Sequence, residues 1–150
     1  MPLYALIDNE QQLHIRDGDY MPALGPEGAD LVRLHPGVRM AAFVNDCGFS
    51  LPDRCPRNTL GALVAIRLGG VFRPLAGPVV FTGWNSAGCG SEVRDLTPEN
   101  IQTLTGLHRD FTAALAGTYT GAAWWADTVR RDADSLRAAS TPTLTILEGI

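Results

Sequence analysis

The chain has 150 residues, of which 45% are hydrophobic and 19% charged, and a net charge of −4. That length suits a single globular domain over 1–150 that needs no disulfide or metal to hold its core. The acidic balance, with a pI near 5.2, speaks against non-specific nucleic-acid binding, which rests on neutralising many phosphates. Uncharged runs are broken by Gly, Pro and Thr well short of a membrane span, so no membrane partner is expected.

The start "MPLYALIDNE" lacks a basic n-region and meets Asp8, so it reads as a first strand over Pro2 to Asp8 and not as a signal peptide, and a cytoplasmic protein is expected. "NEQQ" is a polar turn into Leu13 to Gly18, where Leu13 and Ile15 alternate with His14 and Arg16, a hairpin with one covered face. The next stretch is punctuated by Pro22, Gly25, Pro26, Gly28, Pro36 and Gly37. It predicts loop, with a turn or two of helix around Glu27 to Leu34. Val38 to Asp46 is apolar and of strand length, a central strand.

From Thr59 to Leu68, Leu60, Leu63, Val64 and Leu68 share one helical face, and Asn58 stands where an N-cap would. As a cap alone, Asn58 should lose about 1 kcal/mol on replacement by Ala and much less on replacement by Asp, because either oxygen accepts a first-turn N–H. "GGVFRP" stops the helix. Ala76 to Asn85 follows as a buried strand, with Val79, Val80 and Phe81 continuous. Strand, helix, strand in succession favours parallel pairing where the two strands are neighbours.

Thr97 as N-cap, Pro98 at the first position and Glu99 in the first turn open a helix whose stripe is Ile101, Leu104, Leu107, Phe111 and Leu115, ending at Gly117. A second helix spans about Gly121 to Ala139, with Trp125, Val129 and Leu136 on one face. One ring of Trp124 and Trp125 should enter the core and the other stay partly exposed. Thr143 to Leu147 alternates as a closing strand. The fold class is therefore α/β or α+β: a mixed sheet of about five strands, an inter-strand helix and a C-terminal helical pair packed on one face.

The chemistry-bearing residues are few. Cys47 and Cys55 are separated by seven residues, whereas structural zinc ligands pair two to four apart, and no histidine lies near either. No metal and no cofactor is expected, and the thiols read as small buried or half-buried groups. His108 sits between stripe positions as a half-exposed or satisfied histidine, and His35 before Pro36 reads as turn chemistry. Paired carboxylates such as Asp132 and Asp134 read as solvated charge. The remaining candidate is the Gly-rich stretch after the buried strand: Ser86, Gly88, Cys89, Gly90, Ser91 and Arg94, with Arg57, could meet an anion through backbone N–H groups and guanidinium charge. Neither a P-loop nor a dinucleotide fingerprint is present, and no catalytic residue stands out, so an enzyme is the less expected reading.

All twelve basic residues are arginine, a bias that fits a GC-rich genome such as that of an actinobacterium or its phage. Asn45-Asp46-Cys47-Gly48, Pro56-Arg57-Asn58, the Leu60 to Leu68 helix and Gly77-Pro78-Val79-Val80 together resemble the DUF3846 domain, an uncharacterised family of actinobacteria and bacteriophages. The resemblance runs from Val38 to Gly83 and leaves out the two C-terminal helices. It implies a phage or mobile-element habitat and a loop at Asn45 that is a signature of the fold, with Gly48 permitting the turn. The expected function is a small non-enzymatic interaction protein that binds a host or phage protein, in an anti-defence or regulatory role, with a homodimer as a further option. The alternative is a small-molecule or nucleotide-binding or catalytic domain that uses the Asn85 to Arg94 loop. A cavity lined by the loop's groups would favour the alternative, and an exposed apolar patch or a symmetric dimer the first.

Overall fold

The structure, a computed structural model, describes residues 3–85 and 92–139. It begins with the expected hairpin. Strand β1 (Leu3–Ile7) pairs antiparallel with β2 (Leu13–Asp17), from Leu3 opposite Asp17 to Ile7 opposite Leu13. The Asp8 carboxylate fastens the turn by accepting from the amides of Glu10 at 3.0 Å and Gln12 at 2.9 Å. Leu13 packs against the core, but Ile15 is exposed, so the covered face is shorter than the alternation suggested.

The punctuated stretch departs from expectation. It holds a short helix α1 (Met21–Leu24) and a strand β3 (Ala29–Val32) where a turn of helix was predicted around Glu27 to Leu34. Pro26 and Gly28, the latter at φ +103, break any helix there. Four residues of alternation are then too few to announce a strand, which forms because its neighbour β4 (Met40–Asn45) offers a free edge, with Ala29 opposite Asn45 and Val32 opposite Ala42.

After β4 come α2 (Thr59–Arg67), β5 (Val79–Asn85), β6 (Glu92–Arg94), α3 (Pro98–Ala116) and α4 (Ala123–Ala138). The sheet runs β2-β1-β5-β4-β3, with β6 also beside β5. The α/β class holds, and among the described residues there are six strands and every pairing is antiparallel. Strands β4 and β5 are neighbours, the condition under which parallel pairing is favoured, but Phe43 lies opposite Val80 and Met40 opposite Gly83. The parallel pairing is thus corrected. The loops on either side of α2 return the chain to the end of the sheet it left, and a βαβ crossover would have carried it to the other.

The period of two divides the core. Ala5, Ile7, Ala42, Val44, Val79 and Phe81 face α2, α3 and α4. Tyr4, Leu6, Ala41, Phe43 and Val80 face the opposite way, covered by Leu24 and by the rings of Tyr20 and Trp84. The two C-terminal helices pack on one face as expected, with α2 beside them. Helix α2 is buried at every position from Thr59 to Ala65, so its apolar stripe widens to the whole circumference. A Cβ on Gly61 would stand 2.6 Å from Val79 Cγ2, which shows how closely the helix lies on β5.

Helix α3 has the predicted start. Thr97 Oγ1 accepts from the Asn100 amide at 3.1 Å, and the Asn100 side chain accepts from the Thr97 amide, a reciprocal capping box. Gly117 ends it at φ +76. Trp125 enters the core, stacked on Phe111 at 5.5 Å, whereas Trp124 is 71% exposed. The strand expected over Thr143 to Leu147 lies outside the described residues.

Candidate functional site

The motif around Asn45 is architectural. Asn45 Nδ2 donates to Leu24 O and to Glu27 Oε1, both at 2.8 Å, and Asn45 Oδ1 accepts from the Cys47 amide at 2.8 Å. Glu27 in turn accepts from Arg54 at 2.6 Å, and the bonds from Arg54 and Asn45 hold its carboxyl below the usual range. Gly48 is required for a different reason from the one foreseen: a Cβ there would come within 2.9 Å of Ala76 O.

Asn58 is more than a cap. Its Oδ1 accepts from the Gly61 amide at 2.8 Å, as predicted, but its Nδ2 donates to Ile7 O at 3.0 Å and Gly77 O at 2.9 Å. One buried amide thereby joins the end of β1, the start of α2 and the approach to β5. Asp should therefore not be tolerated here as it would be at a simple cap, since a carboxylate cannot donate to those carbonyls.

Arg57 is also structural. Its guanidinium donates to Leu136 O at 3.1 Å and Ala139 O at 2.6 Å, satisfying carbonyls at the end of α4, and lies 5.3 Å from the Phe49 ring centroid. It is therefore not joined to Arg94, which sits on β6 and pairs with Glu92 at 2.7 Å. Ser86, Gly88, Cys89, Gly90 and Ser91 lie outside the described residues.

The other titratable groups are held in structural bonds. His14 Nε2 meets Asp8 at 2.6 Å, His35 Nδ1 accepts from the Gly37 amide at 3.0 Å, and His108 Nε2 lies 2.8 Å from Gln11 O. Burial alone would raise the Asp8 carboxyl, yet the Gln12 and Glu10 amides and His14 outweigh it and bring it below the ordinary value. Cys55 is buried, and that burial pushes its thiol up, away from the reactive thiolate. Cys47 is exposed. Among the described residues no group of His, Cys, Asp and Glu is placed to hold a metal ion, and no helix is long and apolar enough to cross a membrane.

Open space in the surface converges on Arg39. The segment His35 to Arg39 is a short 3-10 turn pinned from three sides. The His35 amide donates to Leu68 O at the end of α2 at 2.9 Å, Asn100 Nδ2 donates to Val38 O at 3.3 Å, and the Trp84 amide donates to Arg39 O at 3.0 Å. Gly69 lets α2 come this close, because a Cβ there would stand 2.7 Å from His35 N. The turn leaves Arg39 in the left-handed region, at φ 54 and ψ 38, which costs a residue with a Cβ about 1–2 kcal/mol.

Three clefts share this residue. One of about 470 Å³ is lined by Trp84, Asn85, Arg94, Thr97 and Asn100; one of about 370 Å³ by Leu31, Arg33, Leu34, Ala41 and Trp84; and one of about 410 Å³ by Val38, Glu99, Asn100 and Thr103. Arg94 was foreseen here. Arg39, Arg33 and Trp84 were not: "HPGVR" carries no sign that its arginine is held left-handed, and only the pairing of β4 with β5 brings Trp84 beside it.

No family model, curated protein or solved structure matches the chain.

Proposed function

We propose that the protein is a non-enzymatic interaction protein, made by a phage or mobile element of an actinobacterium and acting in the host cytoplasm by binding a host protein through the surface around Arg39. The observation that carries this reading is the convergence of three open clefts on one exposed arginine held in a costly backbone conformation. Backbone strain at an exposed, polar position is a frequent mark of function. A trough of adjoining clefts suits a chain-like ligand better than a small enclosed one. The structural engagement of all three histidines and the raised Cys55 thiol support a binding role over catalysis. The arginine-only basic set and the DUF3846 resemblance support the phage setting.

A second reading, an anionic small molecule or nucleotide, is favoured by one feature: Asn85 and Arg94, the two ends of the Gly-rich loop, line the same cleft as the start of α3. Affinity purification from an actinobacterial lysate separates them. With the wild type as bait a single host protein should be retained, and Arg39→Glu should lose it. Native mass spectrometry showing instead a small molecule of fixed mass on the purified protein would support the second reading.

A further inference from the structure

We infer that the cleft beside β3 receives an extended acidic segment of a partner protein, seating one large apolar side chain against Trp84 while carboxylates next to it meet Arg33 and Arg39; this rests on the partner-protein reading above. The cleft has an apolar wall and a cationic rim. Leu31, Leu34 and Trp84 are half-buried, Ala41 is buried, and Arg33 and Arg39 are exposed. The Trp84 ring has firm backing: Phe43 lies 6.5 Å behind it and is itself stacked on Tyr20 at 5.0 Å. A half-buried aromatic so supported presents a fixed surface at little entropic cost, the property that makes Trp an anchor point in interfaces.

Charge identifies the occupant. Arg54, Arg73, Arg94, Arg109, Arg130 and Arg137 each have an acidic neighbour within ion-pair distance. Arg33 and Arg39 have none among the described residues, nor have Arg16, Arg57, Arg67 and Arg131, but Arg33 and Arg39 stand together on one apolar cleft. A chain with net charge −4 repels an acidic ligand from most of its surface, and two unpaired guanidiniums on one apolar cleft reverse that locally. Arginine binds carboxylates bidentately and gives up hydration more readily than lysine would, so the rim suits a peptide carboxylate. The cleft crosses one face of the sheet near its β3 end, over Leu31 of β3, Ala41 of β4 and Trp84 of β5, a path along which an extended segment can lie.

The test is selection from a displayed random-peptide library on the immobilised wild-type protein, followed by fluorescence anisotropy with the enriched peptides. Enriched sequences should carry one Leu, Phe or Trp flanked by Asp or Glu. Arg33→Ala and Arg39→Ala should each weaken binding about tenfold or more, and binding should fall as salt rises. Arg39→Gly, which suits the backbone there, guards against misfolding and should weaken binding as Arg39→Ala does. Enrichment of basic or uncharged sequences, no enrichment, or affinity unchanged by both Arg33→Ala and Arg39→Ala overturns the inference. Two further measurements show which reading has failed. A host protein still captured by Arg33→Ala and Arg39→Ala baits leaves the partner-protein role standing at another surface. Inorganic phosphate or AMP binding that depends on Arg39, with no peptide enriched, removes both readings, as does capture of a single-stranded oligonucleotide at that surface.

Discussion

Replacing Asn58 by Asp should be among the most damaging isosteric changes available to this chain. The side chain is 1% exposed, and its amide nitrogen faces the carbonyl oxygens of Ile7 and Gly77 at 3.0 and 2.9 Å. Asn58→Ala removes the cap, at about 1 kcal/mol, and leaves two buried carbonyls short of a donor, at about 1–3 kcal/mol each. The sum, about 3–7 kcal/mol, is a large part of the 5–15 kcal/mol typical of a domain, and corresponds to roughly 10 °C or more in Tm. Asn58→Asp retains the cap but sets a buried negative charge against two carbonyl oxygens, so at neutral pH it should cost at least as much as Ala. The pH dependence is diagnostic. Burial and the facing carbonyls raise the introduced carboxyl's folded pKa above the unfolded value of about 3.9, so its ionisation penalty is absent below that value and grows as pH rises through the folded pKa. Urea unfolding of wild type and variant at pH 4.5 and pH 7 measures the difference at each. A variant that matches wild type at pH 7, or a gap that does not widen from pH 4.5 to 7, would refute the reasoning.

Arg39→Gly should stabilise the fold by about 0.5–1 kcal/mol, the released left-handed strain exceeding the extra chain entropy of glycine, while weakening partner binding about tenfold or more; calorimetry and capture on the same samples check both. Asp8→Asn should lower Tm at pH 7, with the difference closing as pH falls below about 4, because a carboxylate whose pKa is depressed on folding stabilises above its unfolded value and ceases to as pH falls through the folded one. Trp125→Ala should cost about 2–3 kcal/mol through lost stacking on Phe111 and Tyr119, whereas Trp124→Ala should stay within about 0.5 kcal/mol, both read from urea midpoints.

Features with a local physical cause were legible in the sequence. Thr97, Pro98 and Gly117 bound α3 because capping and left-handed termination act within a turn, and Val79 to Phe81 announces a strand buried on both faces because no polar residue interrupts it. Asn58 was legible only in part. Its acceptor bonds three residues ahead, which sequence reveals, but its donors reach Ile7 and Gly77, which only the sheet brings near. The antiparallel β4–β5 pairing escaped for a similar reason, since the direction of return depends on how the loops around α2 fold and not on any residue type. Strand β3 escaped because Ala29–Val32 is stabilised by its neighbour's edge. Of the candidate site, Arg94 was found because it ends a Gly-rich stretch after a buried strand. Arg57 was drawn to the same stretch by charge alone, and the structure gives it to α4 instead. Arg39 carries no local mark: its left-handed conformation comes from a turn held by α2, α3 and β5 together.

The most direct test of the Arg39 surface as the protein's working face is in-cell photocrosslinking. A benzophenone-bearing residue placed at Leu34, half-buried in the cleft beside Arg33 and Arg39, should form a covalent adduct with one host protein on irradiation, and Arg39→Glu in the same chain should remove it. No adduct at Leu34, with a clear one from the same label at the exposed Trp124, would contradict the account and move the binding surface to α4.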